Sequence, residues 1–75
     1  MIFYKIRIYR LPNIDDIGSY ECATLEAAKR TQKGLARQLG RTNGEYLIEI
    51  ARFSVDPTDE LYKQDYVVSK IKVNG

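Results

Sequence analysis

Four cationic side chains recur at intervals of three and four residues in the middle of this 75-residue chain. They are Arg30, Lys33, Arg37 and Arg41. A helix turns by about 100° per residue, so at this spacing the four side chains project from one arc of roughly 80°. Cations on one helix face can bind the phosphates of a nucleic acid or the carboxylates of an acidic protein. These four residues are therefore the predicted partner-binding site.

The formal charge of the chain is small but unevenly distributed. The net charge is +2, yet residues 24–41 hold five cations against one acid, Glu26, and the rest of the chain is slightly acidic. Like charges one helical turn apart repel, whereas an ordinary solvated face mixes both signs. The alternative interpretation is that these cations are only the solvated side of an amphipathic helix, because arginine and lysine are good helix formers.

A second candidate surface lies near the N-terminus, where apolar and polar residues alternate. Lys5, Arg7 and Tyr9 are predicted to lie with Phe3 on the outer face of a sheet. Tyr66, Lys70 and Lys72 are expected nearby. Aromatic rings between cations can stack single-stranded bases. The interpretation that we favour is that Lys5 and Arg7 form cross-strand ion pairs with Glu45 and Glu49.

Residues that could support catalysis or bind a metal are scarce. The chain has no histidine and one cysteine, Cys22, so a tetrahedral zinc site and a cysteine–histidine nucleophile are both improbable on composition. The acidic residues Asp15–Asp16 and Asp56–Glu60 lack the spacing of a calcium-binding loop. No phosphate-binding glycine loop is present. We therefore predict a protein that is not an enzyme, with no catalytic residue, no metal and no cofactor.

The elements that position these side chains follow from hydrophobic periodicity. Alternation predicts strands over 2–10, 17–23, 45–53 and 62–73. A helix is predicted over 25–39, with Thr24 as its N-cap and Gly40 as its stop. Asp56 could cap a short helical turn that begins at Pro57.

The predicted fold class is α+β, with the element order ββαββ in one domain over 1–75. The strand order 2-1-3-4 makes every neighbouring pair antiparallel and places the helix on one face of the sheet. The fourth strand is then an edge, and an exposed edge could pair with a second copy to form a homodimer.

The N-terminal segment Met1–Arg10 does not resemble a targeting or membrane sequence, because Lys5 and Arg7 interrupt it. A signal peptide needs an apolar stretch of about 7–15 residues, and a membrane helix needs about 20. The single cysteine fits a reducing compartment. We therefore expect no membrane partner and a cytoplasmic location.

The segment Tyr20–Arg30, with the sequence YECATLEAAKR, passes from a short strand into the helix through a Thr-Leu cap and an Ala-Lys-Arg run. With its flanking strands it resembles small phage-encoded proteins, among them anti-CRISPR inhibitors of type I Cascade complexes. The resemblance covers the ββα portion and the overall size. It implies an inhibitor, of phage or mobile-element origin, that docks on a host protein or nucleoprotein complex through charged helix residues. The alternative is a small module that binds DNA or RNA directly.

Overall fold

The structure, a computed structural model, describes residues 1–56, 58 and 61–74. Their element order is ββαββ, as the sequence predicts. The predicted bounds of the helix and of the first strand are confirmed. The second strand differs by one or two residues at each end, and the third and fourth strands are longer than predicted by two residues and one residue at their C-terminal ends. The elements are β1 (Ile2–Arg10), β2 (Asp15–Cys22), α1 (Leu25–Leu39), β3 (Glu45–Val55) and β4 (Tyr62–Asn74).

The four strands form one antiparallel sheet in the order β2-β1-β3-β4, which confirms the predicted topology. The two central strands, β1 and β3, are rich in isoleucine, and Ile6 lies directly opposite Ile50 in their register. Because side chains of a strand alternate between faces, these isoleucines all point to the face that α1 covers. The outer strands β2 and β4 form the two edges of the sheet.

The main core lies between α1 and this face of the sheet. Ile6, Ile48 and Ile50 are completely buried, and Ala28 brings the helix backbone close to them. Burying apolar surface contributes about 25 cal/mol per Å², so these isoleucines are a main source of stability. Gln32 is the buried polar residue of α1, and its amide is hydrogen-bonded rather than exposed to an apolar surface.

The β3–β4 pairing contains two irregularities that sequence periodicity does not reveal. Val68 is inserted between the partners of Ile50 and Ala51, and Asp65 is inserted between the partners of Arg52 and Phe53. A bulge of this kind changes which face the following residues occupy. As a result, the face that a β4 residue occupies cannot be counted from the C-terminal end of the strand.

The strand β2 begins at Asp15, two residues before the predicted start. The turn that precedes it contains Ile14 with φ of 57°, a left-handed backbone that β-branched residues rarely adopt. The predicted helical turn beginning at Pro57 lies outside the described residues. Asp56 itself accepts hydrogen bonds from the Thr58 hydroxyl at 2.7 Å and from the Thr58 backbone N–H at 2.9 Å, and these bonds lower the pKa of its carboxyl.

The molecule measures 45 × 25 × 15 Å. A helix of 15 residues is about 22 Å long, so α1 is about half as long as the largest dimension of the molecule. Within the described residues, no helix combines the length and the apolar character needed to cross a membrane.

Candidate binding surface

The orientation of α1 is fixed at its start and along its buried face. The Thr24 hydroxyl accepts a hydrogen bond from the Ala27 N–H at 3.1 Å, which confirms the predicted N-cap. Ala28 and Gln32 are buried against the sheet, one helical turn apart. With that face held on the core, the opposite arc of the helix is turned to solvent.

This opposite arc, together with the turn that follows it, is called here the basic helix face and comprises Arg30, Lys33, Arg37 and Arg41. All four side chains are exposed. The helix ends at Leu39, so Arg41 lies in the turn after α1 and not on the helix itself. The turn stays close to helical geometry, since the Arg41 N–H donates to the Gln38 carbonyl at 3.2 Å. Arg41 therefore lies beside the three cations of α1 and is not part of the helix itself.

The cations of this region have no ionic partner in the part of the chain that the structure describes. Neither the basic helix face nor the adjacent Lys29 lies within 4.0 Å of a carboxylate oxygen there. Glu26, in the first turn of α1, is exposed and likewise forms no ion pair with them. Unneutralised cations on one surface create a positive potential that attracts an acidic ligand.

Gly34 lies on α1 beside the arginines, and the sequence analysis did not single it out. It follows Arg30 by four residues and precedes Arg37 by three, which places it next to both side chains. A Cβ atom added to Gly34 would meet nothing within 4 Å. Glycine in a helix interior is less favourable than alanine by roughly 0.5–1 kcal/mol, so packing within the described residues gives no reason for it. Its effect is a gap in the side-chain layer of the basic helix face.

The cations of the sheet behave differently, because four of them form ion pairs. Arg7 lies 3.5 Å from Glu49, as predicted, but Lys5 lies 3.9 Å from Glu21 and not near Glu45. The alternation pattern could not identify this partner, because it does not show which residue of β2 faces Lys5. Two further pairs are Arg52–Asp65 at 3.6 Å and Lys72–Glu45 at 3.9 Å.

The predicted second surface lies on the open face of the sheet, which is the face opposite α1. There Phe3 stacks on Phe53 with 5.4 Å between ring centroids, and Tyr62 meets both rings edge-on. The Lys5 ammonium lies 5.2 Å from the Phe53 centroid, and the Arg7 guanidinium also lies 5.2 Å from it. Phe53 is consequently only 4% exposed. This geometry favours the interpretation that the aromatic rings and cations stabilise the sheet.

The prediction placed Tyr66 near this second surface, and that is wrong. Tyr66 pairs with Arg52, which pairs in turn with Tyr4, and this row lies on the helix side of the sheet. The bulge at Val68 causes the difference, because it shifts the alternation between Lys70 and Tyr66. Tyr9 lies on the open face opposite Leu47, and Lys70 and Lys72 lie opposite Glu49 and Leu47 there.

A third group of polar side chains, which the sequence did not indicate, lies where α1 ends. The Thr42 hydroxyl donates to the Leu39 carbonyl at 2.7 Å and lies 3.3 Å from the Tyr46 hydroxyl. Arg10, at the end of β1, lies over the Tyr46 ring at 6.0 Å from its centroid. The hydrogen bond with Thr42, and then the neighbouring Arg10 guanidinium, lower the pKa of the Tyr46 phenol. The predicted strand order already pairs β1 with β3, but detecting this group would also require their register, which places Arg10 opposite Tyr46.

Neither a metal cluster nor a related protein identifies this surface further. Among the described residues, no group of three or more histidine, cysteine or acidic side chains could hold a metal ion. Cys22 is partly buried, with its sulfur 3.9 Å from the Thr31 hydroxyl. Comparison of the chain with protein-family models, curated proteins and solved structures finds no match.

Proposed function

We propose that this protein is a non-enzymatic binding protein that docks on an acidic surface of a larger protein or nucleoprotein. The contact surface is the basic helix face, with Arg30, Lys33 and Arg37 on α1 and Arg41 in the following turn. Arginine is suited to this contact, because its planar guanidinium can form two parallel hydrogen bonds with one carboxylate.

The observation that carries this proposal is the contrast between the two sets of cations. Four cations of the sheet, Arg7 and Arg52 among them, are paired with carboxylates in the described residues, whereas Arg10, Lys63 and Lys70 are not. Those of the basic helix face have no carboxylate partner in the described segments. A cluster of like charges is unfavourable in the free protein and becomes favourable when a complementary surface covers it.

The gap at Gly34 supports the same proposal. A side chain at this position would stand between Arg30 and Arg37 and keep a partner away from the helix backbone. Glycine lets the partner approach more closely, so that both guanidinium groups can contact it. This gives the otherwise unfavourable glycine a reason that lies outside the isolated chain.

The kind of partner is proposed from the resemblance described above. Small phage-encoded inhibitors suggest a host nucleic-acid-binding complex, on which the basic helix face would compete for an acidic surface. The inhibitory role and the phage or mobile-element origin both depend on that resemblance and stay predictions. The physical part of the proposal, a docking contact through the basic helix face, does not depend on it.

The test is affinity capture from host lysate with tagged protein, followed by mass spectrometry. The variant Arg37→Glu/Arg41→Glu reverses two charges of the basic helix face. The matched control Lys63→Glu/Lys70→Glu reverses two exposed lysines of β4 and changes the net charge by the same amount. We expect recovery of a specific partner to fall by at least about tenfold in the first variant and to be kept in the control. Equal recovery of the partner with both variants would show that the basic helix face is not the contact surface.

Direct binding of DNA or RNA is the second candidate function. It is favoured by the cations from Lys29 to Arg41, none of which pairs with a carboxylate among the described residues. Each contact between a cation and a phosphate releases counterions, so affinity must fall steeply as salt rises. Fluorescence anisotropy with labelled duplex and single-stranded oligonucleotides over a range of salt measures this slope. Absence of binding at low salt would eliminate this candidate and leave docking on a protein.

A further inference from the structure

A shallow concavity lies at the end of the molecule where α1 stops and β3 starts. The residues that line it belong to the end of β1 and the turn after it, to the connection between α1 and β3, and to the second residue of β3. These residues are Arg10, Leu11, Thr42, Asn43, Gly44 and Tyr46. None of them is acidic. Asp15, which lies opposite Arg10 in the register of β1 and β2, does not line the concavity and does not form an ion pair with Arg10.

Arg10 supplies the positive charge of this concavity. Its guanidinium lies over the Tyr46 ring, and no carboxylate of the described residues lies within 4.0 Å of it. A guanidinium has five N–H donors, more than its contact with the Tyr46 side chain can use, so some of them remain for a ligand. The ring therefore orients a guanidinium, some of whose donors are still free to bind a ligand.

The loop backbone and the Tyr46 hydroxyl supply further donors. The Thr42 hydroxyl is not one of them, because its single proton donates to the Leu39 carbonyl at 2.7 Å. The Tyr46 side chain is 5% exposed, and its hydroxyl reaches the concavity beside the Thr42 hydroxyl. The backbone N–H groups of Asn43 and Gly44 donate to no acceptor in the described part of the chain. Unpaired backbone donors in a turn next to a cation are a common way to bind an anion.

Gly44 permits this arrangement by its lack of a side chain. A Cβ atom at this position would lie 2.8 Å from the Tyr46 hydroxyl oxygen, closer than van der Waals contact allows. The loop backbone can therefore lie directly against the phenol ring. This brings the backbone donors, the Tyr46 hydroxyl and the guanidinium to one place from three different elements.

We propose that this concavity is a binding site for a single phosphate group, held by the Arg10 guanidinium, the Tyr46 hydroxyl and the backbone N–H groups of Asn43 and Gly44. A tetrahedral phosphate presents oxygens in several directions, which suits donors that converge from the β1 end, the loop and β3. A carboxylate has only two oxygens in one plane and would leave some of these donors unpaired. The site adjoins the basic helix face at Arg41, which precedes Thr42, but it uses different residues and does not depend on the docking function.

The test is an NMR titration of the ¹⁵N-labelled chain with inorganic phosphate at constant ionic strength, with acetate as the comparison anion. Saturable shifts are expected at the backbone N–H signals of Asn43 and Gly44 and at the Arg10 side chain. Acetate is expected to give weaker shifts at these signals. Equal binding of acetate would overturn the assignment to phosphate.

Two variants, each of which removes one positive charge, distinguish phosphate binding at this site from a general attraction of anions to the protein. Arg10→Gln is expected to weaken phosphate binding by about tenfold, because a charge-assisted hydrogen-bonding group is lost. Arg30→Gln, on the basic helix face, is expected to leave it unchanged. The dispersion of the amide spectrum shows that each variant is folded. Non-saturable shifts, or equal weakening by both variants, would overturn the proposal, whatever the outcome of the capture experiment.

Discussion

Gln32 is a polar residue inside the main core, and its amide nitrogen has two acceptors. It donates to the Ile48 carbonyl at 3.0 Å and to the Ser69 hydroxyl at 3.1 Å, which ties α1 to both β3 and β4. We expect Gln32→Ala to lower the free energy of unfolding by about 2–4 kcal/mol, because it leaves a cavity and buried polar groups without partners. Urea unfolding measures this loss.

The matched control for Gln32 is Gln38→Ala, at an exposed position of the same helix. Exposed substitutions of this kind usually change stability by no more than about 0.5 kcal/mol. If the two variants unfolded at the same urea concentration, the hydrogen bonds of Gln32 would contribute nothing to the stability of the fold.

Ile14 adopts an unfavourable backbone conformation without burying its side chain. Its φ is 57°, and the side chain is 61% exposed. Asparagine tolerates this region better than a β-branched residue, so Ile14→Asn is expected to raise the free energy of unfolding by about 1 kcal/mol. Thermal unfolding followed by circular dichroism gives the measurement.

The same substitution at Ile17 provides the comparison for Ile14. Ile17 is also exposed, but it lies in β2 without a positive φ, so Asn there should be neutral or slightly destabilising. If Asn raised the free energy of unfolding at both positions, the stabilisation would come from the removal of exposed apolar surface and not from the backbone conformation of Ile14.

At the scale of the elements, α1 contains a glycine, Gly34, whose replacement by alanine should stabilise the helix. We expect Gly34→Ala to raise the free energy of unfolding by about 1 kcal/mol and the melting temperature by about 4–8 °C, because space beside Gly34 is open. Gly44→Ala is the contrasting variant, since its Cβ would collide with Tyr46, and it should lower stability. A melting temperature that fails to rise for Gly34→Ala would contradict this account of the helix.

The bounds of α1 were predictable because its signals are local. Thr24 caps the first turn, and Gly40 follows the last helical residue. The pairing of Arg7 with Glu49 was also predictable, since alternation places both residues on one face. By contrast, Lys5–Glu21 and the face of Tyr66 depend on strand register and on a bulge of β4. Those features arise from contacts between distant segments, which a single sequence does not encode locally.

The candidate site, like the fold, could be predicted from the sequence only where its signals are local. The exposure of Arg30, Lys33 and Arg37 follows from helical spacing alone, because the core positions of α1 fix the opposite arc. The group formed by Arg10, Thr42 and Tyr46 could not be anticipated, since its members come from three parts of the chain. Whether the basic helix face binds a partner remains a prediction that the capture experiment tests.

At the scale of the whole molecule, the two edges of the sheet decide whether copies associate. The edge strand β4 carries the exposed cations Lys63, Lys70 and Lys72, and its two bulges interrupt a flat pairing surface. Lysines and bulges on an edge oppose pairing with another strand. We therefore expect a monomer, even though an exposed edge made a homodimer conceivable from the sequence.

Sedimentation velocity at two concentrations tests the expectation of a monomer. The sedimentation coefficient should be the same at both concentrations. An increase at the higher concentration would show self-association, and Lys70→Val, which makes the β4 edge more apolar, should then strengthen it.

The open-face aromatic rings of Phe3, Phe53 and Tyr62 lie toward one end of the sheet, whereas α1 covers the isoleucines on the other face. The protein therefore has two small apolar clusters on opposite sides of a single sheet, and only the strands β1, β3 and β4 connect them. The end that lacks helix cover can separate locally without disrupting the larger cluster. Its backbone amides, around Phe53 and Tyr62, should exchange with deuterium well before those of Ile48 and Ile50.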